Sequence, residues 1–341
     1  MNDMTSSEPN RHDMSAHEAP HAPVWHPGEV ALQASVGMVA RMAEVGPRVI
    51  RDHMPEQHRA FFEQLPCLLV GALDEHGLPW ASMLEGAPGF ARSPDPRVLW
   101  VDAEPAAQDP LTGCLHDGAA LGLLGIELHT RRRNRVNGTA MLHEGGFAVG
   151  VMESFGNCPQ YIQKRVASDV GEIGDVDGRA QARVVATATS HAAALAPDDR
   201  AVIERADTFF VASGVLPRHG ADAARVDVSH RGGRPGFVKV DDDWLTIPDF
   251  SGNRHFNTLG NLLLNPQAGL LFVDFERGDL LHVGGDVQLV LDGPVLAQFE
   301  GAERMWRVHV RAVVRRPAAI AGRWAFVEAS PRIAATGTWP R

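Results

Sequence analysis

The sequence is poor in the features that mark several common classes of protein. Its 341 residues include three cysteines, Cys67, Cys114 and Cys158, and no two of them lie close together. This spacing argues against a disulfide framework or a zinc cluster, and we predict no metal site. No apolar run reaches the roughly 20 residues of a membrane span, and the first residues are too polar for a signal peptide. We therefore expect a cytoplasmic protein that does not bind membranes.

Clustered positive charge is scarce as well. The formal net charge is −10 and no long basic run occurs, whereas nucleic-acid binding requires basic side chains grouped on one surface. We therefore expect no nucleic-acid partner. Hydrophobic residues make up 44% of the chain and charged residues 22%. A chain of this length and composition can form two domains, each with a sizeable core.

The first residues differ in composition from the rest. Residues 1–24 are rich in Ser, Pro, His and acidic side chains and show almost no apolar periodicity. They offer too little apolar surface to offset the entropy of ordering, which predicts a disordered leader. The histidines of this leader are irregularly spaced and lack neighbouring ligand residues, so we assign them no metal role.

Four segments of the first half resemble four segments of the second half, in the same order. The pairs are Pro66–Ala72 with Asp207–Ser213, His76–Leu84 with Gly232–Val240, Asp117–Glu127 with Asn265–Phe275, and Arg135–Leu142 with His282–Leu289. Ordered repetition of this kind predicts a duplicated unit. We place the first unit at 25–178, an Ala-rich linker at 179–197, the second unit at 198–318 and a C-terminal tail at 319–341.

Each predicted unit has five or six short strands with closely spaced turn signals. A helical segment precedes the first strand, at Glu56–Gln64 and at Pro197–Ala206, and another helix is expected between the middle strands. This pattern is typical of a small closed or nearly closed antiparallel barrel with peripheral helices. Two β-sandwiches are the alternative. The expected fold class is mainly β with peripheral helices (α+β).

One stretch of the second half predicts an anion site. It is "IPDFSGNRHFNTLGNLLLNPQAGLLFVDF", Ile247 to Phe275. Small and polar residues form a loop at Asp249–His255, and apolar residues then follow helical spacing until Asn265-Pro266 ends them. The loop leads into a helix N-terminus, with Arg254 beside its free N–H groups. Such a junction is where a phosphate is held.

These residues resemble a known family. The blocks "SHRGGRPGFVKV", "LTIPDFSGNRHFNTLGNLLLNPQAGLLFVDF" and "GDLLHVGG" of the second half, with "RRRNRVNGTAML" and "GNCPQYIQKR" of the first, are similar to the pyridoxamine 5′-phosphate oxidase-like family of FMN-binding split barrels. The similarity spans roughly residues 27–317. It implies two tandem antiparallel split β-barrels and an FMN cofactor.

The resemblance also implies which residues bind the cofactor. Arg254, with Asn253, Asn257 and Thr258, would bind the FMN phosphate. The flavin ring would lie against two strands, 235–240 and 245–249. The remaining implied residues are Phe237 and Val238 on the first of these strands, Pro248 and Asp249 on the second, His230 and Arg231 at the entry to the first, and Arg133 and Arg135 from the first half.

The first half departs from this pattern at the matching junction. Its segment "AEPAAQDPLTGCLHDG" contains no lysine or arginine and carries Glu104 and Asp109, which would repel a phosphate. We therefore expect a degenerate copy that serves as the partner wall for a flavin held by the second half. Arg132, Arg133 or Arg135, and Trp80, would then face the ring, with one FMN per chain.

The expected function is an FMN-dependent oxidoreductase that acts with a small-molecule redox substrate or NAD(P)H, with a homodimer as a possible assembly. Genuine pyridoxamine phosphate oxidation is not expected, because nothing near "RIAATGTWPR" matches the carboxyl-terminal pattern of those oxidases. No side chain can be assigned as catalytic, and Cys158 is interpreted as a structural thiol. The alternative is a non-catalytic module that binds FMN or heme, with His230, His255 and His282 as candidate heme ligands.

Overall fold

The computed structural model describes residues 24–168 and 188–340. All but the last residue of the predicted leader, and residues 179–187 of the predicted linker, lie outside this part of the chain. None of the described helices is long and apolar enough to cross a membrane. The helices are α1 (Pro27–Ser35), α2 (Val39–Val49), α3 (Glu56–Glu63), α4 (Pro197–Arg205) and α5 (Asn257–Leu264).

Strands carry most of the architecture. The strands of the first half are β1 (Cys67–Leu73), β2 (Pro79–Glu85), β3 (Ala91–Asp95), β4 (Val98–Val101), β5 (Ala120–Glu127), β6 (Arg132–His143), β7 (Gly146–Asn157) and β8 (Lys164–Ala167). Those that follow are β9 (Ser190–Ala192), β10 (Thr208–Val215), β11 (Arg225–Gly232), β12 (Lys239–Asp241), β13 (Trp244–Phe250), β14 (Gln267–Val273), β15 (Leu280–Val290), β16 (Ala302–Arg316) and β17 (Trp324–Glu328).

Two antiparallel sheets share one strand order. The first runs β2-β1-β5-β6-β7-β4-β3 and the second β11-β10-β14-β15-β16-β13-β12, with β9 added beside β16 and a separate pair formed by β8 and β17. Every strand from β1 to β7 therefore has a counterpart between β10 and β16. The end strands of either sheet do not pair with each other in the described residues, so the sheets stay open. The mainly β fold with peripheral helices is confirmed, but neither barrel is closed.

Strand register defines which residues of the two halves are equivalent. Leu69 pairs with Leu124 between β1 and β5, and Phe210 pairs with Leu271 between β10 and β14. Three of the four sequence matches fall on strands that correspond in this way. The predicted domain boundaries remain predictions, and residues 190–192 of the predicted linker form β9.

The remaining sequence match, which pairs the segment containing β2 with Gly232–Val240, is wrong. His76–Leu84 covers β2, whose counterpart is β11, whereas Gly232–Val240 begins where β11 ends. A Gly-x-Pro turn precedes the strand in one half and follows it in the other, so the shared turn signal misaligned the two. The strand predicted at 235–240 is also reduced to β12, because a turn occupies residues 234–237: the Phe237 amide donates to the carbonyl oxygen of Arg234 at 2.9 Å, and Gly236 has a φ of 83°.

Three apolar clusters organise the molecule. One fills the first half around Phe62 and Leu68, and a second fills the second half around Phe209 and Trp306. The third lies between the halves, where side chains of β1 and β5 pack on those of β10 and β14. Burial of this shared apolar surface joins the two halves into one packed unit.

Two equivalent glycines allow the halves to approach closely. A Cβ on Gly122 of β5 would lie 2.5 Å from the carbonyl oxygen of Val226 in β11. A Cβ on Gly269 of β14 would lie 2.1 Å from the carbonyl oxygen of Pro79 in β2. The same contact thus occurs twice, once in each direction, which gives the two halves an approximate two-fold relationship. This packing brings β6 of the first half to the open side of β11.

Candidate functional site

A cleft lies where the two halves meet, beside the N-terminus of α5. The first half contributes the ends of β6 and β7 and the loop that follows, including Cys158 and Tyr161. The second half contributes β11, β13, the loop 250–254 and the start of α5. The cleft contains about 120 Å³ of free space.

Arg254 turns into this cleft from the loop before α5. Arg254 and Phe256 have φ angles of 64° and 63°. This is a left-handed backbone conformation that residues other than glycine rarely adopt. The Arg254 guanidinium holds the Glu303 carboxylate with both terminal nitrogens, and Nη2 of Arg304 donates to Glu303 at 2.6 Å. The arginine predicted to bind phosphate is therefore already paired with a carboxylate.

This pairing shifts the pKa of both partners. Burial would raise the pKa of Glu303, but hydrogen bonds from Arg254 and the charges of Arg254 and Arg304 bring that pKa below its ordinary value. The same hydrogen bond raises the pKa of Arg254. Glu303 is therefore ionised near neutral pH and competes with any anion that approaches Arg254.

Arg135 reaches from β6 of the first half to the start of α5. Its Nη1 donates to Oδ1 of Asn257 at 3.1 Å and to Oδ1 of Asp227 at 3.3 Å, and its Nη2 donates to the Ser229 hydroxyl at 2.5 Å. The Ser229 and Thr258 hydroxyls are 2.7 Å apart. Burial lowers the pKa of Arg135, with Asp227 opposing the shift. A cation of one half thus bonds to the helix terminus of the other.

The remaining arginines give the cleft an excess of positive charge. Nε of Arg133 donates to the carbonyl oxygen of Cys158 at 2.9 Å, and burial lowers the pKa of Arg133 to about 10. Arg231 and Arg304 both bond to Asp249. With Arg135 and Arg254, five guanidinium groups line the cleft, and the carboxylates bonded to them in the described residues are Asp227, Asp249 and Glu303.

His230 is the one candidate heme ligand that lines the cleft. It is buried, neither ring nitrogen has a hydrogen-bond partner in the described residues, and burial lowers its pKa well below the usual value. His255 instead packs against Trp25, with ring centroids 5.0 Å apart and ring planes tilted at 56°. Nδ1 of His282 lies 2.9 Å from the carbonyl oxygen of Ala81. His255 and His282 are therefore not among the residues that line the cleft.

Most residues singled out from the sequence do lie together. Val238 is an exception, because it packs in the core of the second half. Trp80 and Arg132 also lie outside the cleft. The indole of Trp80 donates to Asp74 at 3.2 Å, and Arg132 donates to the carbonyl oxygen of Gln57. Those that line the cleft are Arg133, Arg135, His230, Arg231, Phe237, Pro248, Asp249, Asn253, Arg254, Asn257 and Thr258.

Several lining residues were missed. Tyr161 and Phe250 stack with ring centroids 5.2 Å apart, and Ser229 and Arg304 also face the cleft. Tyr161 lies inside the segment Gly156–Arg165 that resembles the family, so a signal existed for it. Arg304 belongs to β16, which joins the site only through its pairing with β13, and no local pattern indicates this.

The equivalent place in the first half is closed. Ser82 and His282 correspond by register to Ser229 and Arg135. There the Asp109 carboxylate accepts hydrogen bonds from the Ser82 hydroxyl and from Nη1 of Arg316, and its other oxygen accepts from the Leu111 amide at 2.9 Å. Arg316 therefore neutralises the charge of Asp109, a pairing that the sequence did not indicate.

Comparison with known proteins adds little to this geometry. No protein-family model and no curated protein matches the chain. Among solved structures, HupZ from Group A Streptococcus is 14% identical, with 34% of this chain and 90% of that chain covered and a TM-score of 0.27. A putative 5-nitroimidazole antibiotic resistance protein from Bacteroides thetaiotaomicron is 13% identical, with 42% and 94% covered and a TM-score of 0.27.

A third structure matches over more of the chain. The inhibitor of motility MotI/DgrA from Bacillus subtilis is 9% identical, with 75% of this chain and 88% of that chain covered and a TM-score of 0.17. All three TM-scores lie below 0.5, which is too low to assign a function to this chain.

Proposed function

We propose that the cleft binds FMN and that the protein is a flavoprotein oxidoreductase. The phosphate would lie at the loop 250–256 and the N-terminus of α5, and the ring would lie toward the first half. The observation that carries this proposal is the convergence of five arginines from both halves beside a helix N-terminus. Guanidinium groups and helix N–H groups are the donors that a phosphate dianion prefers.

The polar atoms of the cleft fit such a ligand. Nε of Arg135, Nε of Arg231 and both ring nitrogens of His230 are buried and have no hydrogen-bond partner within residues 24–168 and 188–340. Buried donors and acceptors are normally satisfied, and unsatisfied ones point to an absent partner. Tyr161 and Phe250 add a flat apolar wall, as a ring system requires.

The free space sets a condition on binding. Ligand pockets commonly measure roughly 300–1,000 Å³, so FMN enters a cleft of about 120 Å³ only if side chains move. The Arg254–Glu303 pair is at the mouth, and its side chains are 28% and 29% exposed. Phosphate would replace Glu303 on Arg254, which exchanges one anion for another on the same guanidinium.

When bound, FMN supplies the hydride or electron transfer. The residues of this chain would bind and position it. Arg254 and Arg304 would balance the phosphate charge, and Arg135 would anchor the wall of the first half to α5. Burial holds His230 neutral at pH 7, so one ring nitrogen can donate a hydrogen bond while the other accepts one.

The direct test is a count of flavin. We expect the purified chain, supplied with FMN and freed of excess by gel filtration, to retain one flavin per 341 residues, released by denaturation. NADH or NADPH should bleach the flavin absorbance without oxygen, which would separate an enzyme from a carrier. Two flavins per chain would contradict the closure of the first half. No retained flavin would contradict the proposal.

Heme is the second candidate, favoured by His230 alone. A neutral imidazole is the state that ligates a metal, and both ring nitrogens of His230 are unpaired in the described residues. The His230→Ala substitution should abolish a heme Soret band if heme is the ligand, whereas FMN retention should persist. Adding hemin to the wild-type chain and recording the visible spectrum distinguishes the two.

A further inference from the structure

A second cavity lies on the far side of the loop that follows β11. It measures about 500 Å³ and is bounded by α4, β10, β14 and the small β8–β17 sheet. None of its lining residues belongs to the cleft described above. Its floor is buried, with Val273, Phe275 and Ile333 all below a tenth exposed, and its mouth carries the exposed Phe326 and Ala329.

Two buried polar atoms of the floor, one on Arg165 and one on Thr208, have no hydrogen-bond partner in residues 24–168 and 188–340. Nη2 of Arg165 donates to both carboxylate oxygens of Asp207, at 2.6 and 2.8 Å, but Nη1 of Arg165 is unpaired within the described part of the chain. The Thr208 hydroxyl is likewise unpaired there. Arg165 is 7% exposed and Thr208 is 2% exposed. Buried donors in this state lack an acceptor that a bound molecule can supply.

Aromatic rings form the walls. Phe275 and Trp324 meet edge to face, with centroids 5.9 Å apart and planes at 85°. The Arg165 guanidinium carbon lies 4.4 Å from the centroid of Phe275, so the cation is held in place by a ring on one side and Asp207 on the other. Phe326 extends the apolar wall to the mouth. This surface favours a flat apolar ligand.

The charges around the cavity balance. Three arginines face three carboxylates, and Nη2 of Arg205 bonds to Asp274 at 3.0 Å in addition to the Arg165–Asp207 pair. A neutral surrounding gives no net attraction to a charged ligand, unlike the cleft with its excess of guanidinium groups. The unpaired donors call for an oxygen acceptor without requiring a full negative charge.

From these contacts we propose that this cavity is a binding site for an uncharged planar aromatic molecule that carries a carbonyl group. Its rings lie between Phe275, Trp324 and Phe326, and its carbonyl oxygen accepts a hydrogen bond from Nη1 of Arg165 or the Thr208 hydroxyl. The volume of about 500 Å³ lies within the range of pockets for small organic ligands.

The test uses naphthalene-2-carboxamide as the probe and the full chain. We expect saturable binding at one site by isothermal titration calorimetry. The Ala329→Trp substitution should abolish binding, because it places an indole in the mouth. Ala325→Trp is the matched control: Ala325 is exposed on β17 and does not line the cavity, so affinity should be unchanged.

A second variant tests the polar floor. Thr208→Val removes the hydroxyl while keeping the shape, and it should weaken the probe by about three- to tenfold, as for one hydrogen bond, without lowering thermal stability. Arg254→Ala, in the other cleft, should leave the affinity for the probe unchanged. Binding of the probe is therefore tested independently of FMN binding. No saturable binding to the wild-type chain, or equal binding to the Ala329→Trp chain, would overturn it.

Discussion

The two halves place the same strands around two equivalent junctions, yet only one junction is open. In the first half a 3₁₀ turn, Pro110–Gly113, stands where the second half has α5. Asp109 caps that turn by accepting from the Leu111 amide. In the second half Phe256 occupies the N-cap and makes no side-chain capping bond. The first junction thus has its own anion, whereas the second leaves helix N–H groups for a ligand.

The two junctions also differ in which residue supplies the positive charge. Arg135 reaches α5 in the open junction, and the register-equivalent residue of the closed junction is the neutral His282. The cation that serves Asp109 there is Arg316, at the end of β16. Under the proposed function, the two equivalent junctions would hold one ligand site and one internal ion pair, depending on whether a carboxylate or a non-capping residue precedes the helical turn.

The largest expected effect comes from breaking the closed junction. Asp109→Ala leaves the buried Arg316 guanidinium without its carboxylate, and loss of one partner from a buried pair costs about 3–5 kcal/mol. Urea denaturation should show a fall of this size in the free energy of unfolding. The double variant Asp109→Leu with Arg316→Met should recover much of it, and failure to do so would mean that the pair acts through more than charge.

The second-largest effect should come from lowering the pH, which should reduce the free energy of unfolding through the closed junction. Burial lowers the pKa of His282 to about 4, with Asp109 acting in the opposite direction. Because the folded-state pKa is depressed, the contribution of His282 is present above pH 6.5 and is lost as the pH falls toward 4, by about 2–3 kcal/mol.

Thermal denaturation between pH 7 and pH 4 measures this loss. His282→Gln should flatten the pH dependence, since a glutamine amide can still donate to Ala81 and does not titrate. The buried histidines His26, His58 and His255, whose pKa values burial also lowers to about 4, should keep some acid sensitivity in the variant. An unchanged slope would show that His282 does not contribute.

The open junction is tested by its arginine. Arg254→Ala should weaken FMN binding by roughly ten- to a hundredfold, because a charge-assisted contact contributes about 1.5–3 kcal/mol. Fluorescence titration of FMN gives the dissociation constant. Arg277→Ala is the matched control, since Arg277 is exposed and outside the cleft. Equal affinity in the two variants would remove Arg254 from the site.

A smaller effect in the opposite direction should follow from Glu303→Gln. This substitution removes the carboxylate that competes for Arg254, so FMN should bind about two- to tenfold more tightly, in keeping with the modest value of a partly exposed ion pair. Glu300→Gln, a nearby exposed control, should change nothing. Weaker binding in Glu303→Gln would mean that Glu303 positions Arg254 and does not oppose the ligand.

Local sequence patterns predicted several elements of the fold, but not the helices α1 and α2. Helical spacing placed α3, α4 and α5 within a residue or two of their observed ends, and apolar runs located β1, β10 and β14. Where two patterns shared only a turn signal, as at Gly232–Val240, the prediction was wrong, because a turn does not say which strand it belongs to. The sequence left open whether each barrel is closed or nearly closed, because the pairing of end strands depends on sheet curvature, which short-range periodicity does not encode.

The sequence by itself determined the repeat, the strand-loop-helix junction with Arg254, and the absence of lysine and arginine from the matching segment of the first half. These depend on residues close together in the chain. Only the tertiary structure decided that Glu303 occupies Arg254, that Arg135 reaches Asn257, and that Arg316 neutralises Asp109. Such pairs join residues about 50 to 200 positions apart, and they form only when packing of the two sheets brings their side chains together and removes water from around them.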